Sequence, residues 1–415
     1  MMIDSTLEYL YQLHNRGIKL GLENINKILH ECNRPHDEFQ AIHLAGTNGK
    51  GSTASIIAKI LQNAGQKVGL YTSPHLINFN ERIRINGEPI SDNDIISFTK
   101  IYRDFFEKHS ITFFEATTAM AFDYFRNNKI DIAIIETGLG GRLDSTNVLS
   151  PIHTIITEID FDHTHLLGET VEEITSEKCG IIKNATPNTT INTKSNIVEV
   201  IDRFSTKQNT KTNYINKDHI NILEHKTNTL HLKYNDSSYF LPQAGSFQAE
   251  NAVLAIETIK NEFKDITDIQ IQDGLDKWFW PGRMQQVEED IFYDVAHNSS
   301  GVNILTSDLF DIYNQKPIGL VVMKNDKIRP EIISLFENAF KELIISTIPS
   351  KDILSKNDIK SVKSLNHYQF IENLNDALGL LKNKQFAGPK VIFGSHYIAK
   401  SVYKFFDFSF DKGII

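Results

Sequence analysis

Three features of the sequence predict an α/β fold, a mostly parallel sheet followed by a smaller α/β unit. Apolar runs at 41–45, 131–136 and 151–159 are continuous and do not alternate, as expected of strands buried on both faces. Segments with helical apolar spacing separate them, which is the βαβ arrangement. Glycine, hydroxyl or carboxylate residues stand just past these runs, at Gly46, Glu136 and Asp160, and Ser73 ends a fourth run. Open parallel sheets put their chemistry at such carboxyl ends.

Taken in order, residues 4–31 read as two short amphipathic helices around Asn15-Arg16-Gly17. The first buried strand leads into His43-Leu44-Ala45-Gly46-Thr47-Asn48-Gly49-Lys50-Gly51-Ser52, and a helix runs on from Thr53. A strand over 67–73 stops at Pro74. A loop holding Glu81-Arg82-Ile83-Arg84-Ile85-Asn86-Gly87 follows, and Ser91 reads as the N-cap of a helix to about Lys108. A further helix follows Thr112, with Phe113, Phe114, Ala116, Met120, Phe122 and Phe125 as its apolar residues. From 212 to 242 the pattern shortens and alternates, which predicts an antiparallel insertion. Residues 245–251 open a helix that runs through Phe263, and Pro281-Gly282-Arg283 marks a break. Strands at 291–296, 319–323, 343–347 and 390–394 then alternate with helices, a Rossmann-like pattern. The expected domains are 1–285 and 286–415.

Strand, glycine turn and helix together are what a phosphate-binding loop requires. Glycines let several N–H groups converge on one anion, and the helix N-terminus adds partial positive charge. Lys50 would reach the outer phosphates, and the hydroxyl of Ser52 or Thr53 would face the phosphates or their magnesium ion. The general pattern G-x-x-x-x-G-K-[ST] is not met, because Leu44 and Gly51 stand where it asks for glycine and a hydroxyl residue.

Glu136 ends a buried strand, where an unpaired carboxylate is costly. Beside a phosphate loop, magnesium is its natural partner. His163, in Asp162-His163-Thr164, would hold a second ion or satisfy a backbone carbonyl. By composition alone Lys178 reads as a solvated helix-face lysine paired to a glutamate. Arg142 and Arg283 follow glycines, and a guanidinium grips carboxylate or phosphate in two-pronged fashion. Asp294-Val295-Ala296-His297-Asn298 sets polar groups at a strand end in the second domain, facing an expected inter-domain cleft.

Bulk properties narrow the class. The net charge is −9, with 43 Lys and Arg against 52 Asp and Glu, which argues against nucleic-acid binding. Two cysteines, Cys32 and Cys179, form no disulfide framework and fit a reducing compartment. No apolar run approaches the ~18 residues that span a bilayer, and no signal peptide is read at the N-terminus. The expectation is a cytoplasmic protein, monomeric, with small-molecule partners and no nucleic acid or membrane.

The stretches HLAGTNGKGS, TSPHL, ERIRING, FFEATTAMAF, IETGLGGRLDSTNV, DFDHTHLLG, EKCGIIK, PGR and FYDVAHN occur in the order and spacing of one family. They run from about residue 20 to residue 297, and the sequence resembles the folylpolyglutamate synthase/dihydrofolate synthase family of the Mur ligase superfamily. The resemblance implies an ATP-dependent amide ligase adding L-glutamate to a folate, with dihydropteroate as a further acceptor or, alternatively, a monofunctional folylpolyglutamate synthase. It implies that Asn48, Gly49, Lys50, Gly51 and Ser52 cradle ATP, with Asn251, Arg283, Asp294 and His297 also on the nucleotide. Ser73 and Glu136 would hold one Mg2+ and His163 a second. Lys178 would be carbamylated, reversing its compositional reading, and Lys50, Lys178 and His163 would serve catalysis. Phe114, Glu115, Ala116 and Thr117, with Leu143, Asp144 and Ser145, would border the pterin-bearing substrate. Cys179, Asp160-Phe161-Asp162 and Gly394-Ser395-His396-Tyr397 depart from the family's usual residues.

A cell-wall peptide ligase would carry a further domain before the phosphate loop, where only about 40 residues stand here. A nucleotide-sensing regulator would not need Glu136, His163 and Lys178.

Overall fold

The computed structural model describes residues 2–17, 19, 21–350 and 352–408. The described chain divides into two compact units, one from 2–220 and 250–278, the other from 221–249 and 279–408. The units interleave because the stretch before helix Phe247–Glu262 packs with the second unit while most of that helix packs with the first.

The first unit is built on eight strands. They are β1 (Gln40–Ala45), β2 (Val68–Tyr71), β3 (Ile83–Ile85), β4 (Glu88–Pro89), β5 (Ile132–Glu136), β6 (His153–Ile156), β7 (Asn188–Thr190) and β8 (Thr212–Tyr214). Their order is β4-β3-β2-β5-β1-β6-β7-β8. The six from β2 to β8 are parallel, and β3 and β4 are antiparallel. All five residues of β5 are buried, as its unbroken apolar run requires. Register places Leu44 opposite both Glu136 and Ile155, and Tyr71 opposite Ile135. The carboxyl ends of β2, β5, β1 and β6 therefore finish level, and the residues that follow them share one rim.

Local signals start the helices. Thr112 accepts from the N–H of Glu115 while the Glu115 carboxylate accepts from the N–H of Thr112, a capping box opening helix Phe113–Asn127. Ser91 caps helix Asp92–His109 as expected.

Three expectations change. β6 stops at Ile156, short of Ile159, because 157–160 turns to fasten the glycine turn described below. β8 belongs to the main sheet and not to the antiparallel insertion; its polar sequence Thr-Asn-Tyr carries no apolar run. The stretch read as a loop around 81–87 contains the β3–β4 hairpin, turning at Asn86 and Gly87 with φ of +49° and +84°.

The second unit holds two sheets. β9 (Ile220–Lys226), β10 (Thr229–Tyr234) and β11 (Ser237–Leu241) form one, in the order β11-β10-β9. β12 (Gln285–Glu288), β13 (Ile291–Asp294), β14 (Ile318–Val321), β15 (Glu342–Ser346), β16 (Gln369–Ile371) and β17 (Lys390–Phe393) form the other, in the order β12-β13-β17-β14-β15-β16. All but β12 are parallel, a Rossmann-like arrangement. Among the described residues, no helix is long and apolar enough to cross a membrane.

Candidate active site

The turn after β1 is shaped by two glycines. Gly49 has φ +86°, and a Cβ there would lie 2.3 Å from Asn251 Oδ1. A Cβ on Gly46 would fall 1.8 Å from Thr157 Oγ1. The segment after β6 pins the turn: the N–H groups of Thr47 and Asn48 donate to Glu158 O at 2.7 and 3.3 Å. Thr157 Oγ1 donates to Asn48 O (2.7 Å), Thr47 Oγ1 donates to Asp160 O (2.9 Å), and Asn48 Nδ2 donates to Glu158 Oε2 (3.0 Å). Asn192 steadies this segment, donating to Thr157 O at 2.8 Å and accepting from the N–H of Ile159 at 3.0 Å. Thr157, Glu158 and Asn192 are functional supports that the apolar run of β6 concealed.

Lys50 folds back over the turn and donates to Gly46 O (3.0 Å) and Thr47 O (3.2 Å). Ser52 Oγ, in the first turn of helix Lys50–Asn63, is buried and has no hydrogen-bond partner among the described residues. A cradle that any Cβ would fill, a helix N-terminus and an unsatisfied hydroxyl fit a phosphate group.

Lys178 is 4% exposed, and its Nζ donates to Gly46 O at 2.7 Å. Burial, and then the Lys50 ammonium, bring its pKa down to about 7 against the opposing pull of Asp162, Cys179 and Asp144. The solvated lysine suggested by composition is therefore corrected. The loop after β5 holds its helix: Arg142 N donates to Glu177 O, and the Arg142 guanidinium pairs with Glu177 Oε1 at 2.8 and 3.0 Å. A Cβ on Gly180 would come within 2.4 Å of Arg142 Cα, and one on Gly141 within 2.6 Å of Lys178 O. Arg142 is thus engaged with Glu177.

Glu136 is 5% exposed, and its Oε2 accepts from the N–H of Ser73 at 3.1 Å. These two expected metal-site residues are brought together. His163 begins a short helix at φ +49°, with its side chain 44% exposed and Nε2 3.8 Å from Asp162 Oδ2. Among the described residues no group of three or more His, Cys, Asp and Glu could hold a metal. One carboxylate beside a phosphate cradle still fits magnesium, which takes one or two protein carboxylates and fills its shell with phosphate oxygens and water.

Arg82 stands out only in three dimensions. It is buried, lies 5.2 Å over the Phe113 ring and donates through Nε to His75 Nδ1 at 2.8 Å. Burial lowers its pKa, and Tyr71, Tyr11, Glu136 and Glu81 oppose that. Alternation of Arg82 and Arg84 with Ile83 and Ile85 is its one sign in the sequence.

The residues expected at the pterin divide. The Phe114 ring lies 6.1 Å from that of Tyr71, and a Cβ on Gly138 would strike it at 2.4 Å. Thr117 Oγ1 donates to Phe114 O and lies 3.1 Å from Tyr71 Oη. Ala116 is wholly buried in the core, and Glu115 serves its own helix N-terminus. Asp144 and Ser145 are buried, while Leu143 is half-buried.

Asn251, at the turn, also accepts from Thr53 Oγ1 at 3.4 Å. In the second unit Asp294 accepts from the N–H groups of Met284 and Ala296, both at 2.6 Å. Burial raises its pKa, with the Arg283 charge opposing. Arg283 Nη1 donates to Gly282 O, and His297 Nδ1 lies 2.9 Å from Val295 O.

The sequence matches the Mur ligase middle domain family over residues 44–259. With the phosphate turn and the level strand ends, that match defines the class: a Mur-type, ATP-using ligase. A dihydrofolate synthase/folylpolyglutamate synthase of Bacillus subtilis is 32% identical, covering 94% of this chain and 97% of its own. A folylpolyglutamate synthase of Lacticaseibacillus casei is 30% identical, covering 97% and 98%. The solved folylpolyglutamate synthase of Thermotoga maritima superposes with a TM-score of 0.84 at 31% identity, over 97% of both chains. A folylpolyglutamate synthase complex with AMPPCP and folate gives 0.83 at 29%, over 97% of this chain and 99% of that one. The chain belongs to the folylpolyglutamate synthase/dihydrofolate synthase family and is an acid–amino-acid ligase.

Proposed function

We propose that the chain joins L-glutamate to folates, tetrahydrofolate among them, and to dihydropteroate, at the expense of ATP. The observation that carries this reading is Lys50 and Lys178 meeting at Gly46 on the rim where β5 ends in Glu136.

The acceptor's carboxylate oxygen attacks the γ-phosphorus of ATP, the bond to the bridging oxygen breaks, and ADP leaves. The amino nitrogen of L-glutamate then attacks the acyl carbon of the acyl phosphate. An amide forms, phosphate leaves, and the amine gives up its proton. Lys50, exchanging its two carbonyl partners for phosphate oxygens, neutralises the charge that spreads over them. Asn48, Gly49, Gly51 and Ser52 hold the phosphates, and Asn251, Arg283, Asp294 and His297 the nucleotide. Ser73 and Glu136 would hold one magnesium ion and His163 another, and the metal would supply charge neutralisation and orientation of the phosphates. Assigning ATP binding to 1–285 and glutamate ligation to 286–415 belongs to the same reading, as does action as a cytoplasmic monomer. Light scattering is expected to give the mass of one chain.

Lys178 is read as carbamylated. Its depressed pKa leaves a large fraction as free amine near neutrality, the form whose nitrogen attacks carbon dioxide and releases a proton. The product carboxylate turns repulsion with Lys50 into attraction. A carbamate signal from 13C-bicarbonate, absent in Lys178→Ala, is the expected result.

The purified chain with ATP, magnesium and L-glutamate is expected to release ADP when tetrahydrofolate or dihydropteroate is added. Activity with tetrahydrofolate alone would favour the monofunctional reading, matching the single activity in the name of the Lacticaseibacillus casei relative. No release with either acceptor, or full release by Lys50→Ala, refutes the assignment.

A further inference from the structure

The Asp144 carboxylate is buried, and both of its oxygens accept hydrogen bonds. Its Oδ2 accepts from the N–H of Leu139 at 2.8 Å, and its Oδ1 from the N–H and hydroxyl of Thr146 at 2.9 and 2.5 Å. Three donors thus occupy both of its oxygens.

Thr146 Oγ1 also lies 2.8 Å from Nε2 of His43. A hydroxyl has one proton, and this one is committed to Asp144. The imidazole must then donate at Nε2 and leave Nδ1 bare. Nδ1 of His43 is buried and has no hydrogen-bond partner among the described residues, as that tautomer allows. Burial, and then the Lys183 charge, keep the ring neutral by holding its pKa near 3. His43 stands in β1, three residues before Gly46, so the chain of bonds joins the strand of the phosphate turn to the loop after β5.

We propose that Asp144 is a positioning residue and not a substrate contact, and that His43, Thr146 and Asp144 form a relay fixing the 138–145 loop against the strand that carries the phosphate turn. The relay is meant for the reaction proposed above and rests on that reading. Phosphoryl transfer needs the acceptor carboxylate in line with the γ-phosphate, and small displacements are costly. A relay that sets the distance between acceptor loop and phosphate turn acts on kcat and on the acceptor's KM, and little on the KM of ATP.

The test uses the full chain with Thr146→Val, Thr146→Ser, His43→Met and His43→Gln, with melting curves to confirm folding. His43→Met, which loses one hydrogen bond, is expected to cut kcat/KM for tetrahydrofolate about tenfold, and Thr146→Val, which loses that bond and the one to Asp144, by at least as much, with the KM of ATP within about twofold in both. Serine at 146 and glutamine at 43 keep a donor or acceptor in place and are expected to restore most of the loss. The double variant should be no worse than Thr146→Val, since both act through one chain. Additive losses, or equal shifts in both KM values, overturn the relay. Histidine-selective 15N labelling, with His43 assigned by its disappearance in His43→Gln, reads the ring without any assay. A bare Nδ1 and protonated Nε2 from about pH 5 to about pH 9 is expected, and the opposite tautomer or a charged ring overturns the proposal. If the wild type uses no folate at all, the proposed function falls, while the ring spectrum still decides whether the relay exists.

Discussion

Lys178 Nζ donates to the carbonyl oxygen of Gly46 at 2.7 Å, from a position almost closed to water. Lys50 donates to the same carbonyl, so two lysine side chains gather on one oxygen. Without an anion between them, such an arrangement is electrostatically costly. It is favourable for a site that receives phosphates and carboxylates.

The first prediction concerns pH. The pKa of Lys178 falls from 10.5 in the unfolded chain to about 7 in the folded one. Between those values the unfolded state holds more protons, so stability rises with pH across that window and is flat below it. In carbon dioxide-free buffer, the melting temperature of the wild type should climb from about pH 7 toward pH 10, and Lys178→Met should lose most of that slope.

Gly49→Ala places a methyl group on a residue at φ +86° and against Asn251 Oδ1. The expected cost is about 1–2 kcal/mol in chemical denaturation, with weaker ATP binding by calorimetry. In an Asn251→Ala background the clash is gone and the strain remains, so the two losses should add to less than their sum.

Glu136→Gln keeps the shape of the side chain and an acceptor for the Ser73 N–H, and removes the charge. A magnesium titration of ADP release should show half-saturation shifted upward by about tenfold or more, and kcat lowered by roughly 100-fold. An unchanged magnesium requirement would remove Glu136 from the metal site.

Asp308 lies in the second unit and accepts from the N–H of Ser246 at 2.8 Å. Burial raises its pKa from 3.8 to about 6, partly offset by the Ser246 bonds. The folded state therefore holds the proton more tightly, and stability falls as pH rises from 3.8 to about 6. Asp308→Asn should match the wild type near pH 3 and melt higher near pH 7.

How much was legible in the sequence depended on how far apart the interacting groups lie. β1 and β5 announce themselves as apolar runs, and Thr112 with Glu115 spells out a helix start within four residues. β7 and β8 do not, because their polar residues are paired across strands: Asn188 accepts from Thr154 Oγ1 and donates to Thr212 Oγ1. Burial of these polar groups is paid back by partners that no local pattern displays. Arg82 gives no local sign of burial until the fold shows it buried over Phe113, whereas Arg142 stays an exposed arginine and the fold adds only its pairing with Glu177.

By itself the sequence determined the parallel sheet, the glycine turn that opens a helix, and the strand ends where polar residues collect. These follow from glycine's backbone freedom and from apolar periodicity, which act over a few residues. Tertiary structure alone decided that Lys178 is buried with a depressed pKa, that Asp144 is buried with both oxygens hydrogen-bonded, and that His43 reaches Thr146. Lys178 and Gly46 are 132 positions apart in the chain, and desolvation is a property of what packs around a group rather than of its neighbours in sequence.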